Sequence, residues 1–281
     1  MPSLATAVGT TRESIYYLVD NPEHKTKKPF HVESPVGQAG LINVSYEGRD
    51  HLVTDIRGRQ SDFQLDNVGF ELVKHETSLS YEDFRDDSLI KSRYYKEVES
   101  LLQQKLGPSR IFIFNHVLRQ AICSGTVKYL GPQLGAHIDQ TPGSAKARIL
   151  RELSEDAASL ISKRYQILNV WRPLFGPLES FPLAFCEYRT LDQSQDLVTT
   201  NYVYPEFVGE SYNVRFNESH KWCFASDQQV DEVWVFKCVD TTTDDSIAKV
   251  AAHTSFDYSG TPPDARLRES VEVRALVFYD D

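Results

Sequence analysis

From Tyr165 to the C-terminus the chain reads almost entirely as short strands. The segments are YQILNVWRPL (165–174), PLAFCEYRTL (182–191), LVTTNYVYP (197–205), YNVRFN (212–217), HKWCFAS (220–226), DEVWVFKCVD (231–240), AKVAAHTSFD (248–257) and SVEVRALVFY (270–279). Each is apolar or alternating, rich in β-branched and aromatic residues, and bounded by polar, Gly or Pro turns. So many short strands leave unpaired edges unless the sheets curl over one another. The pattern therefore predicts a mainly β protein with flanking helices, built on a double-stranded β-helix of the jelly-roll or cupin-like kind.

The first part of the chain is mixed. TTRESIYYLV, GLINVSYEG and VGFELVKHE read as strands, and RIFIFNHVL after Gly107-Pro108 as the first strand of the core. A helix is predicted over 80–107, capped by Ser80 with Asp83 three residues on. Its apolar face would carry Tyr81, Phe84, Leu89, Tyr94, Tyr95, Val98, Leu101 and Leu102. A second helix is predicted near 143–162, after Thr141-Pro142. These elements make residues 1–281 one domain, in which 1–107 pack on a core formed by 108–281. With 281 residues and 41% hydrophobic content, the chain can bury such a core.

Within this frame GAHIDQTP places His137 and Asp139 two residues apart, and AAHTSFDYSG supplies His253. Residues i and i+2 of an extended segment point the same way, so His137 and Asp139 can converge on one ion. Two histidines and a carboxylate can form a facial triad that holds ferrous iron and leaves three positions open. The same three residues would then be the catalytic centre. H-x-D alone is a weak signal. It gains weight from Arg268-Glu269-Ser270, because a guanidinium fork and a hydroxyl on one strand face suit a carboxylate such as the far end of 2-oxoglutarate. Arg266 and Arg274 compete for that role, since Arg268, Ser270, Glu272 and Arg274 alternate onto one face.

Other residues have two readings each. Asn169, Trp171 and Arg172 in NVWRPL can line the cavity, with Arg172 holding a substrate carboxylate. Alternatively Arg172 pairs with an Asp or Glu at the bend before Pro173. His116 is a substrate-side group or an ordinary strand histidine, Arg119 is an anion-binding candidate, and His220 reads as a turn residue.

The net charge of −10 argues against a nucleic-acid partner. No apolar run is long enough for a membrane span, and the N-terminus lacks the pattern of a secretory signal. The four cysteines, Cys123, Cys186, Cys223 and Cys238, have no zinc-like spacing and read as reduced thiols in a cytoplasmic protein. The partner is then a small molecule. A homodimer through a strand edge or the N-terminal segment is compatible with the sequence.

The chain resembles the fungal iron(II)/2-oxoglutarate-dependent oxygenases of the asaB hydroxylase/desaturase, or gibberellin desaturase-like, family, which includes the aziridine-forming oxygenase TqaL. The resemblance runs from about residue 60 onward. It is carried by LSYEDFRDD, RYYKEVESLL, IFIFNHVLRQ, AHIDQTP, NVWRPLFGPLESFPLAFCEYRTL, HKWCFASDQQVDEVWVFKCVD and AAHTSFDYSGTPPDARLRESVEVRALVF. It implies iron bound by His137, Asp139 and His253, and 2-oxoglutarate bound by the arginine-rich last strand. It also implies consumption of O2 in fungal secondary metabolism, with hydroxylation, desaturation or oxidative ring closure of a small secondary-metabolite or amino-acid-derived substrate. Asp139 disfavours halogenation, which needs an open site in place of the carboxylate. Two alternatives remain at the level of sequence: a cupin-like metal enzyme that does not use 2-oxoglutarate, and a non-catalytic β-roll that binds a ligand. A zinc hydrolase lacks its HExxH motif.

Overall fold

The computed structural model describes residues 9–32, 41–120, 131–205 and 207–280. Its strands are β1 (Thr10–Leu18), β2 (Phe30–Val32), β3 (Tyr46–Asp55), β4 (Phe70–Lys74), β5 (Arg110–Gln120), β6 (His137–Ile138) and β7 (Tyr165–Pro173). They continue with β8 (Leu183–Cys186), β9 (Leu197–Val203), β10 (Val208–Val214), β11 (Trp222–Phe224), β12 (Glu232–Asp240), β13 (His253–Ser255) and β14 (Glu269–Phe278). They form a nine-stranded sheet in the order β1-β3-β11-β8-β13-β6-β10-β9-β2 and a five-stranded sheet in the order β4-β12-β7-β14-β5. Their curled, mostly antiparallel arrangement is the expected jelly-roll core.

Side-chain alternation explains how the sheets pack. On β14, Leu276 and Phe278 turn into a core with Phe70, Trp171, Phe185, Trp222, Trp234 and Phe236. The intervening Val271, Val273, Ala275 and Val277 turn outward into a second core. That second core buries Ile90, Tyr94, Val98 and Leu102, which are spaced four apart on a helical face and cover the outside of the five-stranded sheet. Each such side chain contributes about 1.5–3 kcal/mol by leaving water. All the β segments predicted after residue 164 are present. Those corresponding to β7, β12 and β14 belong to the smaller sheet, and the others to the larger.

The structure revises several boundaries. The strand expected in GLINVSYEG begins only at Tyr46 and continues to Asp55, because it pairs with β1 along its length, from Leu18↔Tyr46 to Thr10↔Thr54. The N-terminal strands extend the sheets edge to edge: β3 pairs with β11, and β4 with β12. The helix expected over 80–107 does open on a Ser80–Asp83 exchange and close on left-handed Gly107. Between them it divides into a 3-10 turn (Glu82–Arg85), a restart capped by Asp86, a π-helical turn (Ile90–Tyr94) and an α-helix (Tyr95–Leu106). The second predicted helix is two, Pro142–Glu152 and Ala157–Ile161, since Leu153 leaves helical geometry at φ −131° and ψ 40°.

Cys186, Cys223 and Cys238 are buried free thiols, while Cys123 lies outside the described residues. His220 closes a turn, its N–H donating to the Asn217 carbonyl at 3.2 Å. It is buried against Tyr17 and bonded to Asp196 at 3.0 Å. Among the described residues no helix is long and apolar enough to cross a membrane.

Candidate metal centre

β6 lies between β13 and β10 in the larger sheet, and its pairing sets His253 directly across from His137. Their ring centroids are 4.3 Å apart. Asp139 follows at the end of β6, and its Oδ1 lies 3.3 Å from His137 Nε2. One ligand atom from each of His137, Asp139 and His253 falls within 4.8 Å of the others. Spacing alone could place two of these groups together; the pairing of β6 with β13 brings the third.

The backbone sets the direction of both imidazoles. His137 Nδ1 is 2.8 Å from the Gly135 carbonyl, and His253 Nδ1 is 3.1 Å from that of Ala251. A carbonyl only accepts, so each Nδ1 carries the proton and donates it. Each Nε2 is left with a lone pair for an ion. Burial, reinforced by His137, lowers the His253 pKa to about 3, which keeps this ring in the neutral form a metal requires. Burial alone would raise the Asp139 pKa. The Arg274 cation outweighs it and holds the carboxyl well below its usual range.

The five-stranded sheet supplies the facing wall. Asn169 on β7 donates from Nδ2 to Asp139 Oδ2 at 2.8 Å, and Arg274 Nη2 reaches the same oxygen at 2.9 Å. Arg274 also donates from Nε to Glu272 Oε1 at 2.9 Å. Its fork is therefore engaged by two carboxylates, which corrects its candidacy as a 2-oxoglutarate anchor.

Arg268 differs. It is buried beside the two histidines in a cavity whose wall also includes Arg119, Trp171 and Glu272. Its Nη1 donates to Ser255 Oγ at 2.7 Å and to the carbonyl of Phe181. Phe181 adopts a left-handed φ of 48°, a strained geometry for a bulky residue. Arg268 Nε and Ser270 Oγ are both buried without a hydrogen-bond partner. Burial, with Arg119 nearby, lowers the Arg268 pKa to about 9. A buried cation in no direct ion pair among the described residues, with two orphaned polar atoms beside it, fits one carboxylate of a small diacid. The two Nε2 atoms with Asp139 Oδ1 likewise fit a ferrous ion.

Three other candidates lie elsewhere. Arg172 is on the opposite face of β7 from Trp171, where it donates to the Tyr94 hydroxyl at 2.9 Å and to the carbonyls of His75 and Val230. Its partners are these carbonyls, the phenol and the His75 imidazole, whose Nδ1 lies 2.6 Å from Arg172 Nη2, and not the carboxylate that the second reading expected. His116 also faces outward, 2.9 Å from the Tyr95 hydroxyl. Arg266 stacks 3.8 Å from the centre of the Phe175 ring and pairs with Glu269 at the surface. For Arg172 and His116 the period-2 alternation of a strand sends the side chain away from the cavity, whereas Arg266 precedes β14, which begins at Glu269. Sequence reasoning left Glu272, Gln133 and Ser255 unassigned, although all three line the cavity. Glu272 shares a strand face with Arg268, and that alternation was the available signal.

Over residues 15–278 the chain matches the family model YDMC, described as an oxidoreductase/YMDC permease-like domain. It is 32% identical to the hydroxylase/desaturase efuI of Hormonema carpetanum, over 87% of this chain and 88% of that protein. It is 33% identical to the alpha-ketoglutarate-dependent dioxygenase phiK of a fungal strain, over 86% of this chain and 90% of that protein. Among solved structures, the iron and alpha-ketoglutarate-dependent endoperoxidase NvfI aligns with a TM-score of 0.84 at 26% identity, covering 96% of this chain and 98% of that one. The family match starts at residue 15, well before the motifs that begin near residue 60.

Proposed function

The chain belongs to the fungal iron(II)/2-oxoglutarate-dependent hydroxylase/desaturase family, and on that premise we propose that His137, Asp139 and His253 hold its iron while Arg268 and Ser270 anchor its 2-oxoglutarate. The protein is an oxidoreductase of the dioxygenase class acting on a small molecule. The two alternatives weighed on the sequence, a metal enzyme without 2-oxoglutarate and a non-catalytic β-roll, do not describe this family. When bound, iron(II) with 2-oxoglutarate and O2 supplies the oxidant that takes a hydrogen atom from substrate, and succinate and CO2 are formed.

The chain's own residues do the positioning. The carbonyls of Gly135 and Ala251 fix the imidazole tautomers and aim both Nε2 atoms at one point. Arg268 offers its buried charge through an unpartnered Nε, and Ser270 a hydroxyl, to the far carboxylate of the cosubstrate. Trp171 walls the cavity beneath Arg268, its ring centre 5.6 Å from the guanidinium carbon, and excludes water from that contact. Arg119 and Gln133 remain to face substrate. Residues 1–281 act as one oxygenase domain in this reading. Substrate placement within the cavity selects hydroxylation, desaturation or ring closure.

The observation that carries the proposal is the meeting, in one cavity, of the His137 and His253 rings with a buried guanidinium whose Nε has no hydrogen-bond partner. The test is succinate formation by anaerobically purified protein supplied with Fe(II), ascorbate, O2 and 2-oxoglutarate, against a panel of amino acids and small terpenoid acids. Succinate that rises with one substrate class and disappears in His137→Ala, Asp139→Ala and His253→Ala is expected. Full turnover in any of these variants would remove that residue from the ligand set.

A further inference from the structure

Asp139 has two carboxylate oxygens, and they are treated differently. Oδ1 faces His137 Nε2 at 3.3 Å. Oδ2 receives both Asn169 Nδ2 at 2.8 Å and Arg274 Nη2 at 2.9 Å. The two donors arrive together because Asn169 and Arg274 are directly opposed on β7 and β14. On the other side of β14 the register with β5 shifts between Arg274 and Ala275, so a bulge lies beside the arginine. Bulges re-aim side chains near functional sites.

We propose that Arg274 and Asn169 are positioning residues that occupy Oδ2 of Asp139 and so restrict this ligand to a single metal-bonding oxygen, Oδ1. The proposal rests on the assignment of His137, Asp139 and His253 as the iron ligands. Its physical basis is a count of coordination positions. Three single-atom ligands leave three positions on an octahedral ion, two for a chelating oxo-acid and one for dioxygen. A carboxylate that bonded through both oxygens would leave two, one too few. A carboxylate can offer four lone-pair directions, so it must be restrained from outside.

The electrostatics agree with this arrangement. Arg274 alone would cancel the charge of Asp139 and weaken its attraction for a cation. Glu272 Oε1, which accepts from Arg274 Nε at 2.9 Å and from Nη2 at 2.7 Å, restores the balance. With all three groups ionised, Glu272, Arg274 and Asp139 together carry the single negative charge that Asp139 would carry alone. The clamp thus restrains the ligand geometrically at no net charge. Arg274 is also flanked by Asn115 across the strand, and its side chain is only 16% exposed, so its fork has little freedom to turn elsewhere.

The test uses cobalt(II) as the metal probe, because its visible absorption reports coordination number without catalysis. Full-length protein stripped of metal is titrated with Co(II), and the spectrum is recorded at saturation. The main variant is the charge-balanced pair Arg274→Met with Glu272→Gln, which leaves no stranded buried carboxylate. Asn169→Ala is a milder second variant should the pair fail to fold. Wild type should bind Co(II), and His137→Ala should lose that binding; if either fails, the ligand assignment itself is wrong. With both in hand, a changed saturated spectrum and Co(II) affinity weaker by about 10–100-fold in the pair are expected. Asn169→Ala should shift the spectrum in the same direction by less, and Arg274→Lys with Glu272 intact should restore the wild-type spectrum. A wild-type spectrum in the charge-balanced pair or, if only that variant folds, in Asn169→Ala overturns the proposal.

Discussion

Trp171 and Arg172 are neighbours on β7, yet they lie in different compartments. Trp171 walls the cavity beside His137 and His253, whereas Arg172 is buried in the outer core beneath Tyr94. Their side chains project from opposite faces of the smaller sheet. Arg172→Ala removes donors from the Tyr94 hydroxyl and the carbonyls of His75 and Val230. It should cost about 2–4 kcal/mol of stability through buried groups left unpaired. Chemical denaturation should show that loss, and the KM for 2-oxoglutarate should stay within about twofold of wild type.

Arg268 lies only two residues from Arg266, but the two have opposite expectations. Loss of a buried charge–carboxylate contact costs about 2–5 kcal/mol, so Arg268→Ala should lower kcat/KM for 2-oxoglutarate by about 30-fold or more. Arg266→Ala, at a surface ion pair with Glu269, should leave it within about twofold. Steady-state succinate assays with 2-oxoglutarate varied would measure both, and equal effects would contradict the cavity assignment.

Metal binding should be visible as stability. A divalent ion at about 100 times its Kd adds about 2.7 kcal/mol if it binds only the folded chain. For a protein of this size that corresponds to a rise of about 5 °C in Tm. Thermal melts with Mn(II) or Co(II) should show the rise, a chelator should reverse it, and His253→Ala should not show it.

Gly69 couples the fold to the site from a distance. It has a φ of +89°, and a β-carbon there would lie 2.4 Å from the Val250 carbonyl oxygen, on the segment that leads to His253. Gly69→Ala is strained in backbone and in space, and should lower Tm by several degrees, as expected for a loss of about 2 kcal/mol or more. Metal affinity should fall with it, because Ala251 directs the His253 ring. A melt paired with a metal titration would test both effects.

Asp240 should govern part of the acid stability. Burial pushes its pKa up, but Arg164 and Lys237 bring it down to about 2 from the usual 3.8. A depressed carboxyl stabilises the fold when ionised, so its contribution is complete above about pH 4. It is lost as pH falls through about 2, and it amounts to roughly 2 kcal/mol. Asp240→Asn should remove that contribution at neutral pH and flatten stability between about pH 4 and 2, as measured by denaturant midpoints across that range.

Strand periodicity and the H-x-D spacing were legible because both are local. A two-residue repeat decides which side chains share a face, and it correctly grouped Arg268, Ser270, Glu272 and Arg274 on the last strand. It could not say which arginine stays free, because that depends on what the opposite sheet presents at each depth. Asp139 pairs with Arg274, while Arg268 is left with an unpartnered Nε. Helix breaks at Asp86 and Leu153, where the backbone leaves helical geometry, were missed for a similar reason: the apolar residues continue on either side of them.

The sequence by itself determined the kinds of ligand available, the alternation that buries one face of every strand, and the jelly-roll architecture that closes so many short strands. Only the tertiary structure decided which side chains meet. It set His253 opposite His137, closed Asn169 and Arg274 on one oxygen of Asp139, and turned Arg172 and His116 away. The physical reason is that register between strands far apart in the chain is fixed by the packing of two whole sheets. No single segment contains that information.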